Sequence, residues 1–323
     1  MNKPCSVLIK TSSRPCRFIL GCCILLIVSA CGLAHEPPAN VKAPQRWAVI
    51  VVGLPGDTEH AAPFRRMADT IEEWLCESQQ IPKEQILRLP TIVTAGQSFA
   101  APPTVEAIQT MFGDLNKKLR AEDALWVFTL GHGNSDGQRG WLHLSGKDPS
   151  GEDFAQWLAD VPCREQVIWL THSSSGWFVK PLSRPGRIVI AATAADDESN
   201  ETEFPQALAT VVKSSATSLD SDQDQAVSVA ELYNAVVAEV SRRFKKDDRL
   251  PTEHAQLDDN GDGVGTEVLS QTNPDEKTGE NPDDPAAAKP SLPAPQVDGD
   301  LARKIIIPNP EVQRVTSEPL PPE

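Results

Sequence analysis

The sequence predicts an α/β fold, a mainly parallel sheet with helices on both of its faces. Two observations predict it. Between Trp47 and about Ala192, short apolar runs alternate with stretches whose apolar residues recur at helical spacing. The runs themselves are almost wholly apolar, as strands buried on both faces are, and a 40% apolar composition is enough to fill the core this requires.

The elements follow in order. "WAVIVVG" (47–53) reads as the first strand, and Phe64, Met67, Ala68, Ile71 and Leu75 stripe a helix after it. "ILRL" (86–89) is the second strand. Thr104 is placed to cap a helix carrying Val105, Ile108, Phe112, Leu115 and Leu119 on one face. "ALWVFTL" (124–130) is the third strand. Ser150 and Asp153 form an S-x-x-D helix start, with Phe154, Trp157 and Leu158 facing the core. "QVIWL" (166–170) and "RIVIAAT" (187–193) are the fourth and fifth strands, and residues 203–246 read as helix, acidic loop, helix.

The flanks differ in kind. Residues 1–31 combine Lys3, Lys10, Arg14 and Arg17 with the run "FILGCCILLIVSA", too short for a comfortable span and ending in "VSAC". That ending resembles a bacterial lipobox, with Cys31 as the residue to be lipidated. The expected place of the protein is therefore the bacterial cell envelope, outside the cytoplasm and lipid-anchored to a membrane. Residues 32–46 are a linker and 47–267 the folded domain. Residues 268–323, rich in proline and acids, are expected to be disordered, although "ARKIIIP" (302–308) stands out as a candidate docking strand. Beyond the leader only Cys76 and Cys163 remain. They are no disulfide framework, although outside the cytoplasm one bridge could form, and the better reading of both is a buried, inert thiol. The net charge of -15 argues against nucleic acid. There is no Walker or dinucleotide fingerprint, no H-E-x-x-H and no C-x-x-C.

Ligands of such sheets bind beyond the carboxyl ends of the strands. The third strand ends in "TLGHGNSDG" and the fourth in "LTHSSSG". Taken alone, G-H-G can be a turn with a satisfied histidine, and Ser-Ser-Ser-Gly a turn whose hydroxyls cap the next helix. Together the two stretches, across about residues 47–245, resemble the caspase and legumain cysteine peptidases, and bacterial legumain-like members in particular. The resemblance implies a caspase-like three-layer sandwich, His132 as the catalytic histidine and Ser173 in the position of the catalytic cysteine. It also implies the backbone N–H groups of Gly133 and Ser173 as oxyanion donors. A thiol can be lowered to thiolate beside an imidazolium, whereas a serine needs a base and usually a carboxylate orienting that base. The substitution points to an inactive peptidase-like module with a possible peptide or protein ligand. The alternative is a serine-variant hydrolase using Ser173 and His132.

"DSDQDQAVSVAE" (220–231) matches an EF-hand calcium loop, with Asp220, Asp222 and Asp224 at positions 1, 3 and 5. The Ala226 carbonyl falls at 7, Ser228 at 9 and Glu231 at 12. "FPQALATVV" would be the entering helix. Position 6 holds Gln225 instead of glycine, at a cost of roughly 1–2 kcal/mol for a left-handed turn, so weaker Ca²⁺ binding than in a sensor is expected. The bland reading is an acidic loop that caps a helix. "DDNGDGVG" (258–265) repeats the spacing with Asp258, Asn260 and Asp262, but Leu269 stands at position 12, and a D-G turn is its plainer reading.

Overall fold

In the computed structural model, a six-stranded sheet has the order β2-β1-β3-β6-β7-β9. The structure describes residues 43–89, 103–269 and 297–308. Cys31, the leader, most of the linker and most of the tail lie outside these residues. By its contacts the chain divides after Ala43, and the residues from Pro44 onward are one unit.

The strands are β1 (Arg46–Val52), β2 (Ile86–Leu89), β3 (Ala124–Leu130), β6 (Glu165–Leu170), β7 (Arg187–Ala191) and β9 (Gln256–Asp258). The first five are mutually parallel, and β9 runs antiparallel to β7. A short hairpin, β4 (Gly133–Ser135) with β5 (Gly140–Leu142), follows β3 directly.

Alternation along each strand divides the core in two. Ala48, Ile50, Trp126, Phe128, Val167, Trp169, Ile188 and Ile190 face α1 (Thr58–Glu77), α5 (Phe204–Val211) and α7 (Val229–Lys246). Val49, Val51, Leu125, Val127, Ile168 and Val189 face α2 (Val105–Lys118), α3 (Gly151–Ala159) and α4 (Val179–Leu182). This is an α/β three-layer sandwich. Each of these aliphatic side chains contributes about 1.5–3 kcal/mol by leaving water, and both faces are needed because the strands carry no polar side to expose.

The two caps read from the sequence are where it places them. The Thr104 hydroxyl accepts the Ala107 N–H at 3.3 Å, and Ser150 with Asp153 closes a capping box on α3. Asp57 caps α1, accepting from Glu59 N–H and His60 N–H. One expectation needs correction. α5 ends at Val211, closed by bonds from Lys213 N–H to Thr210 O and Ser214 N–H to Val211 O. A separate single turn, α6 (Ala216–Leu219), enters the acidic loop, so "FPQALATVV" does not lead into it. Lys-Ser-Ser after α5 favours termination over continuation.

The fold also extends past residue 267. Ile306–Ile307 forms β10, antiparallel to β8 (Val227–Ser228), and Ala302 and Ile307 are buried. This is the stretch "ARKIIIP" singled out in the sequence, whose docking depends on a few apolar residues within a proline- and acid-rich segment. Among the described residues no helix is long and apolar enough to cross a membrane.

Candidate functional site

His132 and the serine cluster do lie side by side at the carboxyl edge of the sheet, because β3 and β6 are neighbours in register, with Thr129 opposite Leu170. The contact between them, however, runs through backbone. Gly133 N–H donates to Ser173 Oγ at 3.2 Å. A Cβ on Gly133 would lie 2.4 Å from Ser173 O and 2.6 Å from Trp141 O, so only glycine permits the approach.

The His132 ring is engaged elsewhere. Its Nε2 lies 3.1 Å from Pro55 O, which as a carbonyl can only accept, so Nε2 carries the proton. The ring stands edge-on to Phe64 and to His60, at centroid distances of 5.2 and 5.7 Å. No hydrogen bond joins His132 to Ser173. Asp136 does not reach the ring either; it accepts from Gln138 N–H and Arg139 N–H in the β4–β5 turn.

The three serines hold strand exits together. Ser173 is 2% exposed and Ser175 fully buried, its Oγ accepting the Ala192 N–H at 2.9 Å beyond β7. Gly176 N–H donates to Thr193 Oγ1, and a Cβ on Gly176 would sit 2.2 Å from the Ala194 carbonyl carbon. Ser174 is left-handed at φ 57°, its N–H donating to Glu198 O. No serine side chain caps the following 3-10 turn (Ser175–Phe178). His172 is fully buried, and burial pushes its ring down to about 4, so it is neutral at physiological pH.

In this structure Ser173 Oγ makes no hydrogen bond to the His132 ring, and Ser173 is almost wholly buried. The N–H of Gly133, expected to serve an oxyanion, is taken by that same hydroxyl.

No family model matches the chain, and no curated protein matches it. Among solved structures it is similar to the initiator caspase Dronc of Drosophila. The two are 10% identical over 59% of this chain and 72% of that one, with a TM-score of 0.37.

The acidic loop is the second site. Asp220, Asp222 and Asp224 each offer an oxygen such that all three lie within 4.8 Å of one another. Asp220 Oδ2 accepts from Gln225 N–H, Asp222 Oδ1 from Asp224 N–H and Asp224 Oδ1 from Ala226 N–H. The other oxygen of Asp220 is buried and has no partner. The Asp222 carboxyl sits above its ordinary range. The Asp224 N–H pulls it down, but burial and the charges of Glu231, Asp224 and Asp220 together push it up further. Gln225 is left-handed at φ 71°, as position 6 requires, and Gln223 at φ 63° is left-handed too.

Glu231 is not one of the three converging carboxylates, and it and Ser228 also serve the following helix. Ser228 is the N-cap of α7 and Glu231 its third residue, and the two close a capping box. Glu231 Oε1 accepts the Ser221 N–H at 2.7 Å, and Oε2 accepts the Ser228 N–H at 2.8 Å. In this structure Glu231 thus accepts loop N–H groups on one oxygen and the helix cap on the other.

The 258–265 loop has the same turn. Asp258 Oδ2 accepts from Gly263 N–H, Asn260 Oδ1 from Asp262 N–H, and Asp262 Oδ1 from Val264 N–H, matching the first loop position for position. Leu269, at its twelfth position, is buried in the core.

Sequence reasoning did not reach His60, Glu198 or Glu201. His60 bridges Asp57 and Glu201 beside His132, and its ring is raised above the ordinary value, chiefly by the Asp57 hydrogen bond and then by Glu201. The helix start "GDTEH", an N-cap aspartate with a histidine three residues on, was the available signal for His60.

Proposed function

We propose that this protein is a calcium-binding module carried on a peptidase-like α/β sandwich that does not hydrolyse substrate. The observation that carries it is the convergence of Asp220, Asp222 and Asp224, oxygens of a hard-donor type suited to Ca²⁺. The partnerless oxygen of Asp220 and the raised Asp222 carboxyl support it, since both are groups that a cation would satisfy. Bound there, Ca²⁺ would offset most of the charge of three clustered carboxylates and stiffen the approach to α7. Gln225 at position 6 and the capping role of Glu231 favour weak binding. The 258–265 loop lacks a twelfth-position acid and is the poorer candidate.

The relation to caspase and legumain peptidases rests on the H-G and S-G motifs after neighbouring strands, with Ser173 at the nucleophile position. A lipid anchor at Cys31 would hold the module on a membrane of the bacterial envelope. Calorimetry with Ca²⁺ tests the central reading. Heat is expected from the wild-type chain and none from Asp220→Ala. A silent wild type, or a variant that binds equally well, removes the calcium assignment.

A further inference from the structure

Residues 297–308 touch both acidic loops. Asp259, next to Asp258, accepts Gly299 N–H at 2.8 Å and Ala302 N–H at 2.7 Å, capping the turn at the start of this strap. In return, Asp298 accepts Asp259 N–H at 3.2 Å and the Thr266 hydroxyl at 2.7 Å. The far end of the strap lies on the other loop. Ile306 pairs with Ser228 and Ile307 with Val227, the ninth and eighth positions of the 220–231 loop. Ile305 O accepts Val229 N–H at 3.0 Å and Ala302 O accepts Ala230 N–H at 3.2 Å. Those two N–H groups open α7 and have no partner within the helix. Ala302 and Ile307 enter the core that α7 lines.

Val227 and Ser228 therefore belong to two structures at once, the second half of the acidic loop and the strand that seats the strap. We infer that cation binding in the 220–231 loop and docking of the 297–308 strap are coupled, each strengthening the other. The inference rests on the calcium reading above. A cation drawing in Asp220, Asp222 and Asp224 fixes the chain leading into Val227–Ser228, and a fixed strand accepts Ile306–Ile307 at lower entropic cost. Coupling of this kind is reciprocal, so loosening the strap must weaken the cation site by the same factor.

The test uses the full chain. Hydrogen exchange at the amides of Val229, Ala230, Gly299 and Ala302 is followed with and without Ca²⁺, and calorimetry compares wild type with Ile307→Asp and Asp259→Ala. Neither substituted residue is a candidate ligand of the first loop. The expected result is slower exchange at all four amides with Ca²⁺, and a Kd for Ca²⁺ weakened about fivefold or more in each variant that folds. Should neither variant fold, the wild-type exchange measurement decides alone. Ca²⁺ binding with unchanged exchange, or with a Kd shifted by less than about fivefold in a folded variant, overturns the coupling and leaves the calcium site standing. Absence of any Ca²⁺ binding to the wild-type chain overturns both.

Discussion

The amide of Gly133 donates its hydrogen to the hydroxyl of Ser173, 3.2 Å away, and both groups are buried at the sheet edge. The wild-type chain is therefore expected to resist a fluorophosphonate probe. Ser173→Cys is expected to resist thiol-directed reagents until the protein is denatured, because position 173 is 2% exposed. Rapid labelling of native Ser173→Cys would show that the edge opens, and labelling of wild type that vanishes in Ser173→Ala would establish the hydrolase alternative. Ser173→Ala itself should cost about 1–3 kcal/mol, the penalty of leaving the buried Gly133 N–H unpaired, read from denaturant unfolding.

Two glycines give a contrasting pair. Gly176→Ala drives a methyl to within 2.2 Å of backbone at Ala194, where no flexible side chain can yield. A loss of about 1–3 kcal/mol or more is expected. Gly113, exposed within α2, has nothing within 4 Å of an added Cβ. Gly113→Ala should stabilise by about 1 kcal/mol through helix propensity. Equal effects at the two sites would contradict the packing described for the strand exits.

Gln225 holds a left-handed conformation at φ 71°. Gln225→Gly should relieve roughly 1 kcal/mol of that strain and tighten Ca²⁺ binding. Thermal unfolding and calorimetry of the same variant check both. Weaker Ca²⁺ binding in the glycine variant would mean that the turn is not the one a cation selects.

Glu253 is 5% exposed, and burial raises its carboxyl to about 8; the Glu203 N–H lowers it, while the charges of Glu203 and Glu198 raise it. Its folded pKa lies above its unfolded one, so its contribution to stability is complete below about pH 4.5 and lost as pH rises through about 8. Across that window the slope is about 1.4 kcal/mol per pH unit for a single proton. Glu253→Gln should match wild type near the acid end and flatten the decline toward pH 8. Identical pH profiles for the two proteins would show that Glu253 ionises normally in the folded state.

The regular part of the sheet was legible because burial on both faces writes continuous apolar runs. β2 and β3 have the boundaries read from the sequence, and β1, β6 and β7 differ by one or two residues. β9 was not legible, since Gln256–Asp258 is three residues long and runs into an acidic turn. β10 showed only as Ile305, Ile306 and Ile307 within a polar, proline-rich stretch. At the site, motif spacing located His132 and Ser173 on adjacent strand ends. It could not say which atoms they would bond, because Pro55 O and Gly133 N–H are backbone groups and carry no signature in side-chain identity.

The sheet tapers. Its inner strands β1, β3, β6 and β7 are seven, seven, six and five residues long, and the edge strands β2 and β9 only four and three. The outer side of β9 is further covered by a bridge from Leu257 to Thr266. Open strand edges are the template on which copies of a protein zip together. Among the described residues, this sheet presents neighbouring copies with very little edge to join.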